Sequence, residues 1–216
     1  MTTHTYTISD ASGKVLYRVR EDPPAPPLPP PPPPPPPPFA PATTQLLVPW
    51  ASQLGPSADY APGDCGPACT TMWLHHLGHT DLTVNDCSQE TGLAPGYNYT
   101  MPAHLMNIMR HWGYETFWRD GLVLDDIVAE IDRGNPLILL VEYDQLPRTL
   151  RYDLSYQYGH WILVVGYTRT HTIYHDPYFP STALGAFKHI QDTSLMYAWG
   201  HNSDSGNRNY QAIRLT

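Results

Sequence analysis

Basic residues are scarce in this 216-residue chain: 12 lysines and arginines stand against 20 acids, for a formal net charge of -8 at pH 7. No Lys/Arg cluster relieves the deficit, which argues against nucleic acid or an anionic membrane as partner, because both reward concentrated positive charge. Cysteine is scarcer still. Three residues with no framework spacing disfavour a disulfide scaffold and allow at most one pair, such as Cys69 with Cys87. No run approaches the 18 apolar residues of a membrane span. The opening MTTHTYTISDASG has neither the basic n-region nor the apolar h-region of an export signal. The default expectation is therefore the cytoplasm, with a phage particle or non-classical export as the other options.

Proline is abundant but confined. Fifteen of the 25 prolines lie between Pro23 and Pro41. The stretch PPAPPLPPPPPPPPPP, residues 23–38, lacks backbone donors and is held near polyproline II, a semi-rigid rod of roughly 50 Å. Such a rod serves as a spacer between modules or as a docking strip for aromatic-grooved domains. Before it, residues 3–8 and 14–19 alternate around the turn chemistry of Asp10 to Gly13, the pattern of a β-hairpin. A lone hairpin is marginal in water and needs something to dock on. Residues 1–22 hold three acids and three bases, so the whole imbalance, 17 acids against 9 bases, falls after the prolines. The reading is a hairpin appendage over 1–22, a polyproline II linker over 23–41 and one globular domain over 42–216.

In that domain the apolar spacing predicts a helix over 65–77, with Ala68, Cys69, Met72, Trp73 and His76 on one face. Shorter helices are expected over 83–91, over 102–112 with Pro102 in the first turn, and over 122–133 ending at Gly134. The period then changes. LILLVE (137–142), WILVVGY (161–167), TIYH (172–175) and YQAIRL (210–215) read as strands. Helices first and strands after predict an α+β domain rather than a βαβ repeat.

Chemistry concentrates at GDCGPACTTMWLHHLGH, residues 63–79. Cys65 stands at the helix N-terminus, where unpaired N–H groups and the positive end of the dipole favour thiolate. Gly66 permits close backbone approach, and Pro67 fits the first turn. Cys69, one turn further in, reads as a small buried hydrophobe. His160 opens the strand WILVVGY. A tight reversal near residues 168–170 would lay it opposite 176–179, where Asp176 can orient its imidazole and Pro177 ends the return strand. Gln53, in the polar approach to Cys65, offers an amide to an oxyanion alongside the backbone N–H of Cys65. Zinc at Cys65, Cys69, His75, His76 and His79 fails on spacing, since Cys65 and His79 lie about 20 Å apart along one helix. No metal or other cofactor is expected.

Gln53, DCGPAC at 64–69, GHWILVVGY at 159–167 and HDPY at 175–178 together resemble the double-glycine, bacteriocin-leader-processing cysteine peptidases and their relatives in the papain-like superfamily. The resemblance covers roughly residues 48–216 and includes the aromatic segment MYAWG. It implies a papain-like fold with Cys65 as nucleophile, His160 as general base and acid, Asp176 as the orienting third member and Gln53 as oxyanion-hole donor. With twelve positions from Gln53 to Cys65, the intervening loop must bulge outward for Gln53 to reach. The implied activity is peptide or amide hydrolysis through an acyl-thioester, with a peptide or protein substrate. Two alternatives stay open: a peptidoglycan cross-link hydrolase with the same triad, and a non-catalytic peptide-binding or structural module.

Overall fold

The computed structural model describes residues 4–9, 11–21, 43–55, 63–201 and 210–215. The chain divides into two compact units, Met1–Pro38 and Phe39–Thr216. In the first, β1 (His4–Ser9) pairs antiparallel with β2 (Val15–Glu21). Gly13 adopts a φ of 81° in the connecting turn, a conformation that costs glycine nothing. The expected polyproline rod lies outside the described residues.

The second unit opens with β3 (Thr43–Gln45), then α1 (Cys65–His76), α2 (Val84–Gln89) and α3 (Pro102–His111). β4 (Thr116–Arg119), α4 (Leu124–Asp132), β5 (Leu137–Glu142), β6 (Gly159–Thr168) and β7 (His171–His175) follow. The last elements are α5 (Thr182–Gly185), β8 (Lys188–Gln191), α6 (Asp192–Gly200) and β9 (Ala212–Leu215). Local chemistry sets the helix ends. Thr83 and Asp86 cap α2 reciprocally, through Thr83 N–H to Asp86 Oδ2 at 2.8 Å and Asp86 N–H to Thr83 Oγ1 at 3.2 Å. After α4 the chain leaves through Gly134 at a φ of 87°.

Seven strands form one sheet in the order β4-β9-β5-β6-β7-β8, with β3 added on β6. Every pairing in it is antiparallel. The central strand β6 is buried on both faces, and its side chains alternate between two cores. Ile162 and Val164 join Ile127, Ile131, Leu195 and Trp199 under α4 and α6. Trp161, Leu163 and Val165 join Cys69, Met72, Trp73 and Leu105 under α1 and α3. The sheet is thus sandwiched between two helical layers, an α+β arrangement.

Two sequence expectations need correction. Helix α1 has no single apolar face: every residue from Cys65 to Leu74 is buried, because β6, α2 and α3 enclose it. Its threonines survive burial by donating one turn back, Thr70 to Gly66 O and Thr71 to Pro67 O, each at 2.8 Å. Nor do helices simply precede strands. β3 and β4 lie early, and MYAWG belongs to α6, packed on the sheet through Leu195, Ala198 and Trp199.

Candidate active site

The antiparallel register brings the distant residues of the site together. The β6–β7 ladder ends at Leu163 opposite His175, so continuing the same register sets His160 level with Tyr178 and near Asp176. His160 Nε2 and Asp176 Oδ1 are 2.8 Å apart, both residues fully buried. Asp176 Oδ1 also accepts from Tyr178 N–H at 2.9 Å, which fixes the carboxylate just past the strand end. Cys65 stands close enough to the same imidazole to help hold its proton, and with Nε2 given to Asp176, Nδ1 is the ring nitrogen left to face other groups. The fold thus gathers Cys65, His160 and Asp176 into one neighbourhood, with the imidazole bonded to the carboxylate.

Burial pulls the pKa of His160 down, but the Asp176 carboxylate, its hydrogen bond and the Cys65 sulfur outweigh that and raise it from 6.5 to about 9. Tyrosine rings crowd the imidazole. The Tyr143 ring meets His160 edge-on at 4.9 Å, and Tyr178 and Tyr156 close in at 6.0 and 6.5 Å. Tyr143 is itself fixed, its hydroxyl accepting from Tyr152 N–H at 2.7 Å.

Cys65 begins α1 and is 7% exposed. Gly66 beside it touches Thr100, Leu105 and Trp161, so a Cβ there would overlap Thr100 Oγ1. Asp64, wholly buried, accepts from Ser88 Oγ at 2.9 Å and Tyr97 Oη at 2.7 Å, which pins the turn entering the helix. The other two cysteines are also free and buried. Burial pushes the Cys69 thiol well above its ordinary pKa, with Cys65 and Asp176 adding to the rise, and pushes Cys87 up to about 12. The helix histidines have separate partners: His75 with Leu82 O, His76 with Gly134 O and His79 with the Tyr114 hydroxyl.

Gln53 is 4% exposed, and its backbone N–H donates to Pro177 O at 3.0 Å. The segment before it is tied to the same strand end, through His175 Nε2 to Val48 O at 2.8 Å and Trp50 Nε1 to Asp176 O at 3.0 Å. Gln53 is thereby anchored one residue beyond Asp176. The outward bulge expected between Gln53 and Cys65 falls at residues 56–62, outside the described residues.

A cleft of about 750 Å³ opens beside Cys65, between residues 98–102 on one side and Tyr156, Tyr158 and Gly159 on the other. A family model described as Peptidase_C39 like family matches residues 45–201. The chain belongs to that family. Among solved structures, this C39-like chain is similar to a protein described as a C39-like peptidase from Bacillus anthracis, with a TM-score of 0.57 and 14% identity over 81% of this chain and 97% of the other. It is also similar to the peptidase domain of Streptococcus ComA, a bi-functional ABC transporter involved in a quorum sensing pathway, with a TM-score of 0.51 and 17% identity over 77% and 96% of the two chains. These likenesses carry the papain-like C39 fold. No curated protein matches the chain significantly. In this C39-like chain, no helix among the described residues is long and apolar enough to cross a membrane.

The tyrosine enclosure of His160 and the pinning of Asp64 went unread in the sequence. The first had a visible signal, since five of the chain's 15 tyrosines fall at 143, 152, 156, 158 and 178, around GHW and DPY. The second had none, because Ser88 and Tyr97 reach Asp64 only through the fold.

Proposed function

We propose that the chain is a cysteine peptidase that hydrolyses peptide bonds through an acyl-thioester. His160 takes the proton of Cys65, and the sulfur attacks the scissile carbonyl carbon. The resulting oxyanion accepts from the backbone N–H of Cys65 and the Gln53 amide. The C–N bond then breaks as the imidazolium of His160 gives its proton to the leaving amine. Water, deprotonated by His160, attacks the thioester and releases the acid and the free thiol. Asp176 holds the imidazole in orientation and stabilises its cationic form.

The single observation that carries this reading is the buried His160–Asp176 hydrogen bond, with Cys65 close enough to act on the same imidazole. Membership of a cysteine peptidase family supports it. Nothing in the comparisons favours the cell-wall hydrolase or the binding module. The test uses peptide-library cleavage by the full chain and by Cys65→Ala, alongside iodoacetamide labelling. The expected result is cleavage that vanishes in the variant with its fold intact, and alkylation of Cys65 well ahead of Cys69 and Cys87. Equal labelling of the three thiols, or undiminished cleavage by Cys65→Ala, would overturn it.

A further inference from the structure

We propose that Gln211 sets the side-chain preference of the cleft beside Cys65, and that the residue it selects is tyrosine; this rests on the peptidase reading above. Gln211 lines the cleft yet is only 1% exposed, which puts it at the floor. Both its side-chain oxygen and its side-chain nitrogen are buried with no hydrogen-bond partner among the described residues. A buried amide left unpaired in both directions is costly, and a ligand group that both donates and accepts would satisfy it. The side chain has little freedom to look elsewhere. The backbone carbonyl of Gln211 is clamped by Trp199 Nε1 at 2.8 Å, and Ala212 next to it pairs with Leu139 of β5 and Arg119 of β4.

The walls decide what carries that group. Trp118 and Trp161 line the cleft and meet edge to face at 5.8 Å. Trp161 is held there by its Nε1–H donating to Thr100 O at 3.1 Å. Leu140 and Met101 complete an apolar wall, and no acidic or basic side chain lines the cleft among the described residues. Aromatic walls favour an aromatic ring packed against them. A neutral lining penalises a charged side chain, which would lose its hydration without a counter-charge. At about 750 Å³ the space admits a whole aromatic residue. Tyrosine meets both demands: its ring packs on the indoles, and its hydroxyl donates to Gln211 Oε1 while accepting from Nε2.

The experiment has two arms. In the first, the full chain with Cys65→Ala is titrated by NMR with N-acetyl-tyrosinamide, N-acetyl-phenylalaninamide and the O-methyl ether of the tyrosine probe. The tyrosine probe is expected to bind about tenfold or more tightly than the other two, since a site built to hydrogen-bond a hydroxyl rejects analogues lacking it. Gln211→Met should level tyrosine with phenylalanine. Should that variant misfold, the O-methyl comparison on the unaltered cleft decides the same question. In the second arm, library cleavage by the wild-type chain should enrich tyrosine at one fixed position near the cut, with the enrichment lost in Gln211→Met. Equal binding of the three probes, or a tyrosine preference that survives Gln211→Met, overturns the proposal. Tyrosine binding with no peptide cut would instead uphold the pocket and overturn the peptidase reading.

Discussion

At the scale of single residues, the pair His160–Asp176 makes the site sensitive to alkaline pH. A folded pKa of about 9, raised from 6.5, means that the folded chain holds this proton more tightly than the unfolded one. The stabilisation is complete below the unfolded value and disappears as pH climbs through about 9. In the proposed mechanism the same proton is given to the leaving amine, so kcat/KM should show an alkaline limb near pH 9. Asp176→Asn removes the charge that opposes desolvation but leaves an oxygen to accept from Tyr178 N–H and the imidazole. The expected result is a loss of roughly 10²–10⁴-fold in kcat/KM and an alkaline limb displaced to lower pH. A pH–rate profile checks both, and a limb that stays near 9 in the variant would show that Asp176 does not hold the proton.

At the scale of elements, the helix that carries Cys65 depends on how closely its first turn can approach its neighbours. A Cβ on Gly66 would overlap Thr100 Oγ1 and stand 2.6 Å from Leu105 Cδ2, and neither neighbour is exposed. Gly66→Ala should cost about 1–3 kcal/mol, the usual toll of overpacking, and lower Tm by several degrees at this chain size. Cys65 shares the displaced turn, so its alkylation should slow relative to the wild type. A thermal melt paired with an iodoacetamide time course tests both effects, and an unchanged Tm would mean the approach is looser than it looks. The parts of this site that rest on spacing were legible in the sequence. The expected 65–77, 102–112 and 137–142 correspond to Cys65–His76, Pro102–His111 and Leu137–Glu142. The equal arms around residues 168–170 gave the reversal that sets His160 beside Asp176. What spacing could not reveal was set by tertiary neighbours. β3, β4 and β8 have three or four residues each, too few for a period to register. Gln211 stands out only once Trp118 and Trp161, far away in sequence, are seen to share its cleft.

At the scale of the whole molecule, the two units differ in what sustains them. Among the described residues both apolar clusters draw every member from Leu46 onward, and the proposed catalytic residues all lie in Phe39–Thr216. Residues 1–38 carry three acids and three bases, so the net charge of -8 belongs entirely to the second unit. Removing the first unit therefore removes no described member of either cluster and no net charge. A chain beginning at Phe39 should melt within about 3 °C of the full chain, the shift that roughly 1 kcal/mol produces at this size, and should cleave library peptides at the same sites. The hairpin on its own has the opposite expectation, because an isolated pair of strands is marginal in water. A peptide of residues 1–22 should show little strand signal by circular dichroism. A melt of the shortened chain lowered by ten degrees or more would mean that the second unit leans on the hairpin or the proline run for its stability.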